Sequence, residues 1–180
     1  VRETKKPQKY LESFPEIDKK FLFVNLGYNL RLTEIGGAIG LVQLPKLEGF
    51  VKNRRKSAQI LLKGLSKFDS MLSFQKETPK GLHSWFGFPI IVKSGSPFTA
   101  KELRGYLESH GIEARPIIAG NIANQPGVKI YPHRISGDLE HSSNIMINGL
   151  AVACHQSLSE EACNHIIQIF NIFISSFDSK

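Results

Sequence analysis

The sequence predicts an α/β domain in which helices pack on a short sheet. Three observations support this prediction: several segments have helical spacing of apolar residues next to capping residues, short apolar runs between them have the length of strands, and the composition is that of a globular protein. The chain has 180 residues, of which 41% are hydrophobic and 22% are charged. These fractions are ordinary for a folded domain, and a chain of this length buries enough surface to fold without disulfides.

The first third of the chain is predicted to be a polar arm followed by two helices. Residues 1–26 are rich in lysine, with one apolar run at 21–26 that could form a strand. A helix is expected to begin near Thr33, a favourable N-cap residue, and to break or kink at Pro45, which lacks a backbone donor. A second amphipathic helix follows. Its basic side chains are expected to lie mostly on its solvated face: Lys52, Arg54, Arg55 and Lys56.

The middle of the chain is predicted to contain a strand and a helix. The apolar run at 85–92 is typical of a strand, and Pro89 places that strand at a sheet edge or a bulge because proline cannot donate to a ladder. Thr99 and Glu102 have the spacing of a capping box, in which each side chain accepts a backbone hydrogen bond at the start of a helix. Gly111 is expected to end that helix.

The C-terminal part is predicted to contain short strands, a long loop and two helices. The strands are expected at 112–115 and 150–153, and a short helix at 142–148. Ser157 and Glu160 suggest a second capping box before the last helix. The segment 117–140 is rich in Gly, Pro and Asn, and a loop of that length in a compact domain is more often functional than idle.

The net charge of +7 is concentrated in the first 80 residues, which hold 16 Lys and Arg against 8 Asp and Glu; the other 100 hold 7 against 8. Such a basic half could bind nucleic acid. A solvated helix face and a basic tail are the preferred interpretation, and the basic stripe of the second helix has no interleaved aromatic residues for bases to stack on. We therefore expect no nucleic-acid partner.

Several kinds of site have no counterpart in the sequence. There is no HExxH, zinc-finger spacing, GxSxG elbow, phosphate-binding P-loop or GxGxxG after a strand, which disfavours a self-contained hydrolase, kinase, dehydrogenase or zinc protein, so no metal site is predicted. No run approaches the roughly 20 apolar residues of a membrane helix, and the first residues do not resemble a signal peptide. Cys154 and Cys163 form no disulfide framework. We expect a cytoplasmic protein without membrane contact.

Two longer segments resemble a known family. They are GYNLRLTEIGGAIGLVQLPKLEGFVKNRR at 27–55, and SWFGFPIIV with PFTAKELRGYLESHGIEARPIIAGNIANQP within 84–126. Together they resemble the C-terminal half of the DegT/StrS family of pyridoxal-phosphate (PLP) sugar aminotransferases. The second segment looks most like the branch that acts on nucleotide-linked 4-keto-6-deoxy sugars, which includes sugar 3-dehydratases and perosamine-type aminotransferases.

The resemblance implies the small C-terminal domain of a fold-type I PLP-dependent transferase, preceded by a kinked helix from the large-domain interface. It implies three parts: an arm from a missing N-terminal large domain at 1–26, interface helices at 27–66 and a small α/β domain at 67–180. The family forms homodimers with active sites at the subunit interface and makes deoxy and amino sugars. Its catalytic Lys, or the His that replaces it in 3-dehydratases, belongs to the large domain. No catalytic residue is therefore assigned here, and the segment alone is expected to be inactive.

The resemblance also implies roles for individual residues. Asn29 would reach across the dimer to the phosphate of PLP, which the missing domain mainly binds, and Tyr28 would line the same pocket. From the spacing alone, Asn29 is more simply a helix cap and Tyr28 a packed side chain. Arg31 and Arg115 are candidates for the diphosphate of a nucleotide sugar, because a guanidinium binds phosphate bidentately. A surface salt bridge is the equal alternative for each arginine.

The loop sequence AGNIANQP supplies the last two candidates. Asn121 and Gln125 could hydrogen-bond sugar hydroxyls, and local capping of the loop explains them equally well. At the level of the whole protein, the alternative to the enzyme is a stand-alone binding or scaffold domain of the same fold that performs no catalysis.

Overall fold

The computed structural model describes Glu12 and residues 33–118, 120–125, 128, 130 and 132–178. The chain divides into two compact units, Val1–Val42 and Gln43–Lys180. Of the first unit, the described part is Glu12 and 33–42, so the predicted strand at 21–26 lies outside the described residues. The three parts with boundaries at 26 and 66 stay predictions.

The described elements confirm the predicted α/β class. The helices are α1 (Glu34–Gln43), α2 (Leu47–Leu65), α3 (Ala100–Ser109), α4 (Glu140–Asn148) and α5 (Glu160–Asp178). Short 3-10 helices span Leu44–Lys46, Ser66–Phe68 and Ile122–Asn124. The strands are β1 (Leu72–Phe74), β2 (Gly87–Val92), β3 (Ala114–Arg115) and β4 (Gly149–Ala153). Strand β1 was missed from sequence because three residues are too few to show an alternating pattern.

The start of α1 and the interruption at Pro45 follow the sequence signals. The side-chain oxygen of Thr33 accepts a hydrogen bond from the backbone N–H of Gly36 at 3.3 Å, and the Thr33 carbonyl accepts one from Gly37 at 3.0 Å. Pro45 lies in the 3-10 turn that separates α1 from α2. Both predictions are confirmed.

The four strands form an antiparallel sheet in the order β1-β2-β4-β3. Strand β2 therefore lies inside the sheet, and the prediction of an edge strand was wrong. Its pairing with β1 runs only from Leu72↔Val92 to Phe74↔Ile90. Pro89 lies just beyond the last of these pairs. The side of β2 that β1 covers is thus already unpaired at the proline, which explains how an inner strand accommodates it.

The core of the second unit lies between the sheet and the helices α2, α3 and α5. Alternate residues of β2 are buried, namely Phe88, Ile90 and Val92. Helices α2 and α5 approach so closely that a Cβ on Gly64 would lie 2.3 Å from the Cδ1 atom of Ile167. A larger residue at position 64 would therefore require the side chain of Ile167 to move. The fully buried side chains of the two helices are Ala58, Leu61, Leu65, Cys163, Phe170 and Ile174.

The two predicted capping boxes have different outcomes. In α3, the N–H of Glu102 donates to Thr99 Oγ1 at 3.2 Å and the N–H of Thr99 donates to Glu102 Oε2 at 2.7 Å, as predicted. The bonds from Thr99 hold the pKa of Glu102 below its ordinary value. In α5, the N-cap is Ser159, whose Oγ accepts the N–H of Ala162 at 3.2 Å. The prediction of Ser157 was wrong by two residues.

The capping box should contribute measurably to stability. We expect Thr99→Ala to lower the free energy of unfolding by about 1 kcal/mol, the usual cost of an N-cap. The loss of stability caused by Thr99→Ala should become smaller in acid. Because the pKa of Glu102 is lowered in the folded state, the stabilisation from this carboxylate is present above its unfolded pKa. It is lost as the pH falls through the folded pKa. Urea unfolding at several pH values measures both effects. Thr78→Ala, at an exposed threonine outside any helix, is the control; equal effects of the two substitutions would contradict the prediction.

Candidate functional site

The long loop predicted to carry binding residues lies at the end of the sheet where β4 begins. Strand β3 pairs antiparallel to β4, with Ala114↔Val152 and Arg115↔Ala151. The chain therefore leaves β3 toward the first residue of β4, Gly149, which directly follows α4. Arg115, the loop and α4 are brought together at this end of the sheet.

Asn121 fastens the loop to α4. Its side chain is buried, with 4% of its surface exposed. The Nδ2 group donates to the hydroxyl of Ser143 at 3.0 Å, and Oδ1 accepts the N–H of Ala123 at 3.1 Å. These bonds match the local capping alternative, in which Asn121 shapes the loop. The carboxamide keeps a second N–H, so its role toward a sugar hydroxyl stays a prediction.

A close backbone approach reinforces this attachment. Gly120 has a φ of +60°, and a Cβ there would lie 2.5 Å from the Cβ of Met146 on α4. Both its conformation and the lack of space require glycine. Two residues earlier, Ile118 has a φ of +44° and an 89% exposed side chain. Positive φ is costly for a β-branched residue, and such strain is concentrated at functional loops.

Arg115 and Gln125 both point to solvent, at different places. The Nε of Arg115 donates to Glu113 Oε1 at 2.6 Å, and the two side chains form an exposed ion pair. Arg115 thus has the salt bridge that was its alternative, and its phosphate role stays a prediction. Gln125 ends the 3-10 helix after Asn121, with its N–H bonded to the carbonyl of Ile122 at 2.9 Å. The structure therefore brings Asn121 and Gln125 together on one turn.

Three candidates lie outside the described residues: Tyr28, Asn29 and Arg31. Tyr28 and Asn29 are the residues assigned to the PLP phosphate.

A cavity that sequence reasoning did not locate lies beside Asn121. It has a volume of about 440 Å³ and lies between the Gly120–Ala123 segment and the segment that leads into α4. The length of the loop was the signal that pointed to this region. No local pattern singled out His133 and Arg134, whose side chains line the cavity.

Arg54 binds the segment before β2 and does not face solvent as predicted. Its Nε and Nη2 donate to Gln156 Oε1 at 3.2 and 3.0 Å, and its Nη1 donates to the carbonyl of Trp85 at 3.2 Å. Trp85 has a φ of +52° and is 4% exposed, with its ring stacked on Phe88 at 5.8 Å. Arg54 thus holds the carbonyl of a strained, buried tryptophan.

Arg55 holds the same segment two residues earlier, at His83. Its Nη1 donates to Glu77 Oε1 at 2.5 Å and to the carbonyl of His83 at 2.8 Å, and Glu77 also accepts the N–H of His83. The ion pair lowers the pKa of Glu77 below its ordinary value. The prediction of a solvated face was therefore wrong for Arg54 and Arg55 and correct for Lys56, whose exposed side chain pairs with Glu160.

The two cysteines are free and buried. Burial raises the pKa of the Cys154 thiol to about 11, so it is protonated at neutral pH and is a poor nucleophile. Across the described residues, no three His, Cys, Asp or Glu side chains gather as metal ligands. None of the described helices combines the length and the apolar character needed to cross a bilayer.

Comparison with known proteins places these features in context. A model of the DegT/DnrJ/EryC1/StrS aminotransferase family matches residues 3–171. A GDP-4-keto-6-deoxy-D-mannose 3-dehydratase of Yersinia pseudotuberculosis is 42% identical over 167 residues, which are 92% of this chain and 40% of that protein. A GDP-perosamine synthase of Escherichia coli O157:H7 is 30% identical over 152 residues, 83% of this chain and 38% of that protein. The chain spans about 40% of the length of the curated relatives it matches.

A solved structure is similar to this chain in both sequence and fold. Escherichia coli GDP-4-keto-6-deoxy-D-mannose-3-dehydratase with bound hydrated PLP is 37% identical in sequence and has a TM-score of 0.72 to this chain. The similarity covers 84% of this chain and 39% of that one. It confirms the predicted fold.

The contacts of Arg54 predict a local effect that fluorescence can follow. Trp85 is the only tryptophan of the chain. We expect Arg54→Ala to red-shift its emission and to lower stability by about 2 kcal/mol, because the carbonyl of Trp85 and the side chain of Gln156 lose charge-assisted bonds. Arg104→Ala removes an arginine whose one ion-pair partner in the described part of the chain is Glu108, at 3.9 Å on the same helix, and it should change neither property. An unchanged emission maximum in Arg54→Ala would show that Arg54 does not hold the segment around Trp85.

The attachment of the loop to α4 predicts a second local effect. Asn121→Ala should lower the free energy of unfolding by about 1–3 kcal/mol, because it leaves a backbone N–H and a hydroxyl without their buried partner. Hydrogen exchange at the Ala123 amide should accelerate more than exchange in the core helices. Ser143→Ala removes only one of the two bonds and should have the smaller effect. If both variants exchange at the same rate as the original chain, Asn121 does not hold the loop.

Proposed function

This chain belongs to the DegT/DnrJ/EryC1/StrS aminotransferase family, and we propose that it is the C-terminal part of a PLP-dependent enzyme acting on a nucleotide-linked 4-keto-6-deoxy sugar. The observation that carries the proposal is the 42% identity, over 92% of this chain, to a GDP-4-keto-6-deoxy-D-mannose 3-dehydratase. A perosamine synthase is also a relative. The proposal therefore covers both 3-dehydration and transamination, in deoxysugar synthesis for lipopolysaccharide.

The residues of this chain would bind and orient, while the rest of the protein holds most of the cofactor. PLP supplies an electron sink when it is bound. Asn29 donates its side-chain amide to the phosphate of a cofactor held mainly by the other subunit. The N-terminus of α1, which follows Asn29 in the sequence, carries a partial positive charge, which favours an anion. Tyr28 lines the same pocket. No catalytic residue is assigned to this chain, which alone would be inactive.

The substrate contacts would come from two arginines and two amides. Arg31 and Arg115 bind the diphosphate. Glu113 occupies the Nε and Nη2 groups of Arg115, so the Nη1 donors remain for a phosphate oxygen. Asn121 offers its second N–H, and Gln125 offers an exposed carboxamide, to hydroxyls of the sugar.

The exposed side chains of α1 support a homodimer. Ile35, Ile39 and Val42, which share one face of the helix, are 76%, 58% and 60% exposed in the described structure. A row of large apolar side chains in water is unfavourable, and such patches mark sites of protein association. The proposal assigns this surface to the subunit and large-domain contacts of a cytoplasmic homodimer.

The reaction itself can be tested with the full-length protein, in which this chain is joined to its upstream part. The substrate is GDP-4-keto-6-deoxy-D-mannose, supplied with PLP and glutamate. Mass spectrometry distinguishes loss of the 3-hydroxyl from gain of an amino group, and either product supports the proposal. Unchanged substrate, under conditions in which the Yersinia enzyme turns it over, would favour a non-catalytic domain of the same fold.

The proposed hydrogen bond from Asn29 to the phosphate of PLP predicts a defect in cofactor binding. In the full-length protein, Asn29→Ala should weaken PLP affinity about tenfold, because one hydrogen bond to a charged group is worth about 1.5–3 kcal/mol. Absorbance titration with PLP measures this affinity. Asn164→Ala, at an exposed position of α5, is the matched control and should bind PLP normally. Equal PLP affinity of Asn29→Ala and Asn164→Ala would exclude a role of Asn29 in binding the phosphate.

A further inference from the structure

The cavity beside Asn121 has the dimensions of a small-molecule site. Its volume of about 440 Å³ lies within the range of about 300–1,000 Å³ typical of ligand pockets. We call it the Arg134 cavity. The lining side chains that matter to the argument are Asn121, Ile122, His133, Arg134 and Ile135.

One wall of the Arg134 cavity is held in place by contacts within the chain. This wall is attached to α4 through the bond from Asn121 to Ser143 and through the close approach of Gly120. The other wall enters α4 at Leu139, which has a φ of +57° and whose carbonyl accepts the N–H of Ser143 at 2.9 Å. Ser143 therefore accepts a hydrogen bond from Asn121 and donates one to Leu139. A site with one wall already held loses less conformational entropy on binding.

The charge of the cavity favours an anion. Of the arginines that the structure describes, Arg54, Arg55, Arg104 and Arg115 each contact a polar side chain of another residue. Arg134 makes no hydrogen bond or ion pair with any described residue, and its side chain is exposed. The described lining residues include no Asp or Glu. A guanidinium without a carboxylate partner can bind a phosphate with two parallel hydrogen bonds.

The apolar part of the cavity favours a ligand with a planar or apolar portion. Ile122 and Ile135 line it with 62% and 54% of their surface exposed. Burying these side chains against a ligand removes apolar surface from water, which is favourable. A free phosphate would use only the arginine, whereas a nucleoside diphosphate would use the arginine and both isoleucines.

We propose that the Arg134 cavity binds the nucleoside diphosphate end of the sugar nucleotide, with Arg134 on a phosphate and Ile122 and Ile135 against the ribose or base. This inference rests on the proposed function and adds to it the place where the nucleotide is held. Arg115 lies at the same end of the sheet as the loop that forms this cavity.

Calorimetric titration of the full-length protein with GDP tests the proposal. Arg134→Gln should weaken GDP binding about tenfold, since it removes a charge-assisted pair of bonds. Arg134→Lys keeps the charge and loses the bidentate geometry, so its GDP affinity should lie between that of the original protein and that of Arg134→Gln. Ile135→Ser should weaken GDP binding several-fold and leave competition by inorganic phosphate unchanged. Arg104→Gln is the matched control and should bind GDP normally. The circular dichroism spectrum and PLP absorbance of each variant report on folding.

The outcomes separate this proposal from the one it rests on. If the original protein binds GDP and both Arg134 variants bind it equally well, the Arg134 cavity is not the nucleotide site, while the proposed function stands. If Arg134→Gln weakens inorganic phosphate and GDP to the same degree and Ile135→Ser has no effect, the cavity binds a free anion and the nucleotide proposal is overturned. If the original protein binds none of GDP, dTDP and UDP, both proposals fail.

Discussion

The antiparallel pairing of β2 with β4 determines where every region of interest in the second unit can lie. At one end of this pair, Gly87 faces Ala153, and the segments before β2 and after β4 emerge side by side. Arg54 binds the carbonyl of Trp85 on the first and the side chain of Gln156 on the second. At the other end, Ile91 faces Gly149, where α4 enters the sheet and the loop after β3 begins. A slip of one residue in this register would move both regions and exchange the two faces of the sheet.

Local signals in the sequence were sufficient where the structure depends on neighbours in the chain. The capping box of Thr99 and Glu102 needs only residues three positions apart. The turn at Gly111 and the interruption at Pro45 likewise depend on the backbone limits of one residue type. The error at α5 has the same origin, because Ser157 and Ser159 are equally good N-caps by composition and only the path of the chain from β4 selects the second.

Contacts between distant residues were beyond the reach of these signals. Arg54 and Gln156 are 102 positions apart, and nothing in a run of basic residues on a helix distinguishes the arginine that faces solvent from the one that crosses to another segment. Asn121 was identified as a loop residue of interest, but its burial against Ser143, 22 positions away, depends on how α4 packs. The family resemblance filled part of this gap, since it supplied the fold that local patterns left open.

The use of arginine in this fold also explains why a cationic chain need not be a nucleic-acid binder. A guanidinium that donates to several carbonyl or carboxylate oxygens has few N–H groups left for a phosphate, whereas one with a single carboxylate partner, such as Arg115, keeps its Nη1 donors. Arg54 and Arg55 are occupied in this way, although they lie in the most basic stretch of the chain. Arg134 lies in the C-terminal part, whose formal charge is slightly negative. Anion binding therefore depends on which cationic side chains lack partners and on the shape of the surface around them. The distribution of net charge along the sequence is a poor guide to where an anion binds.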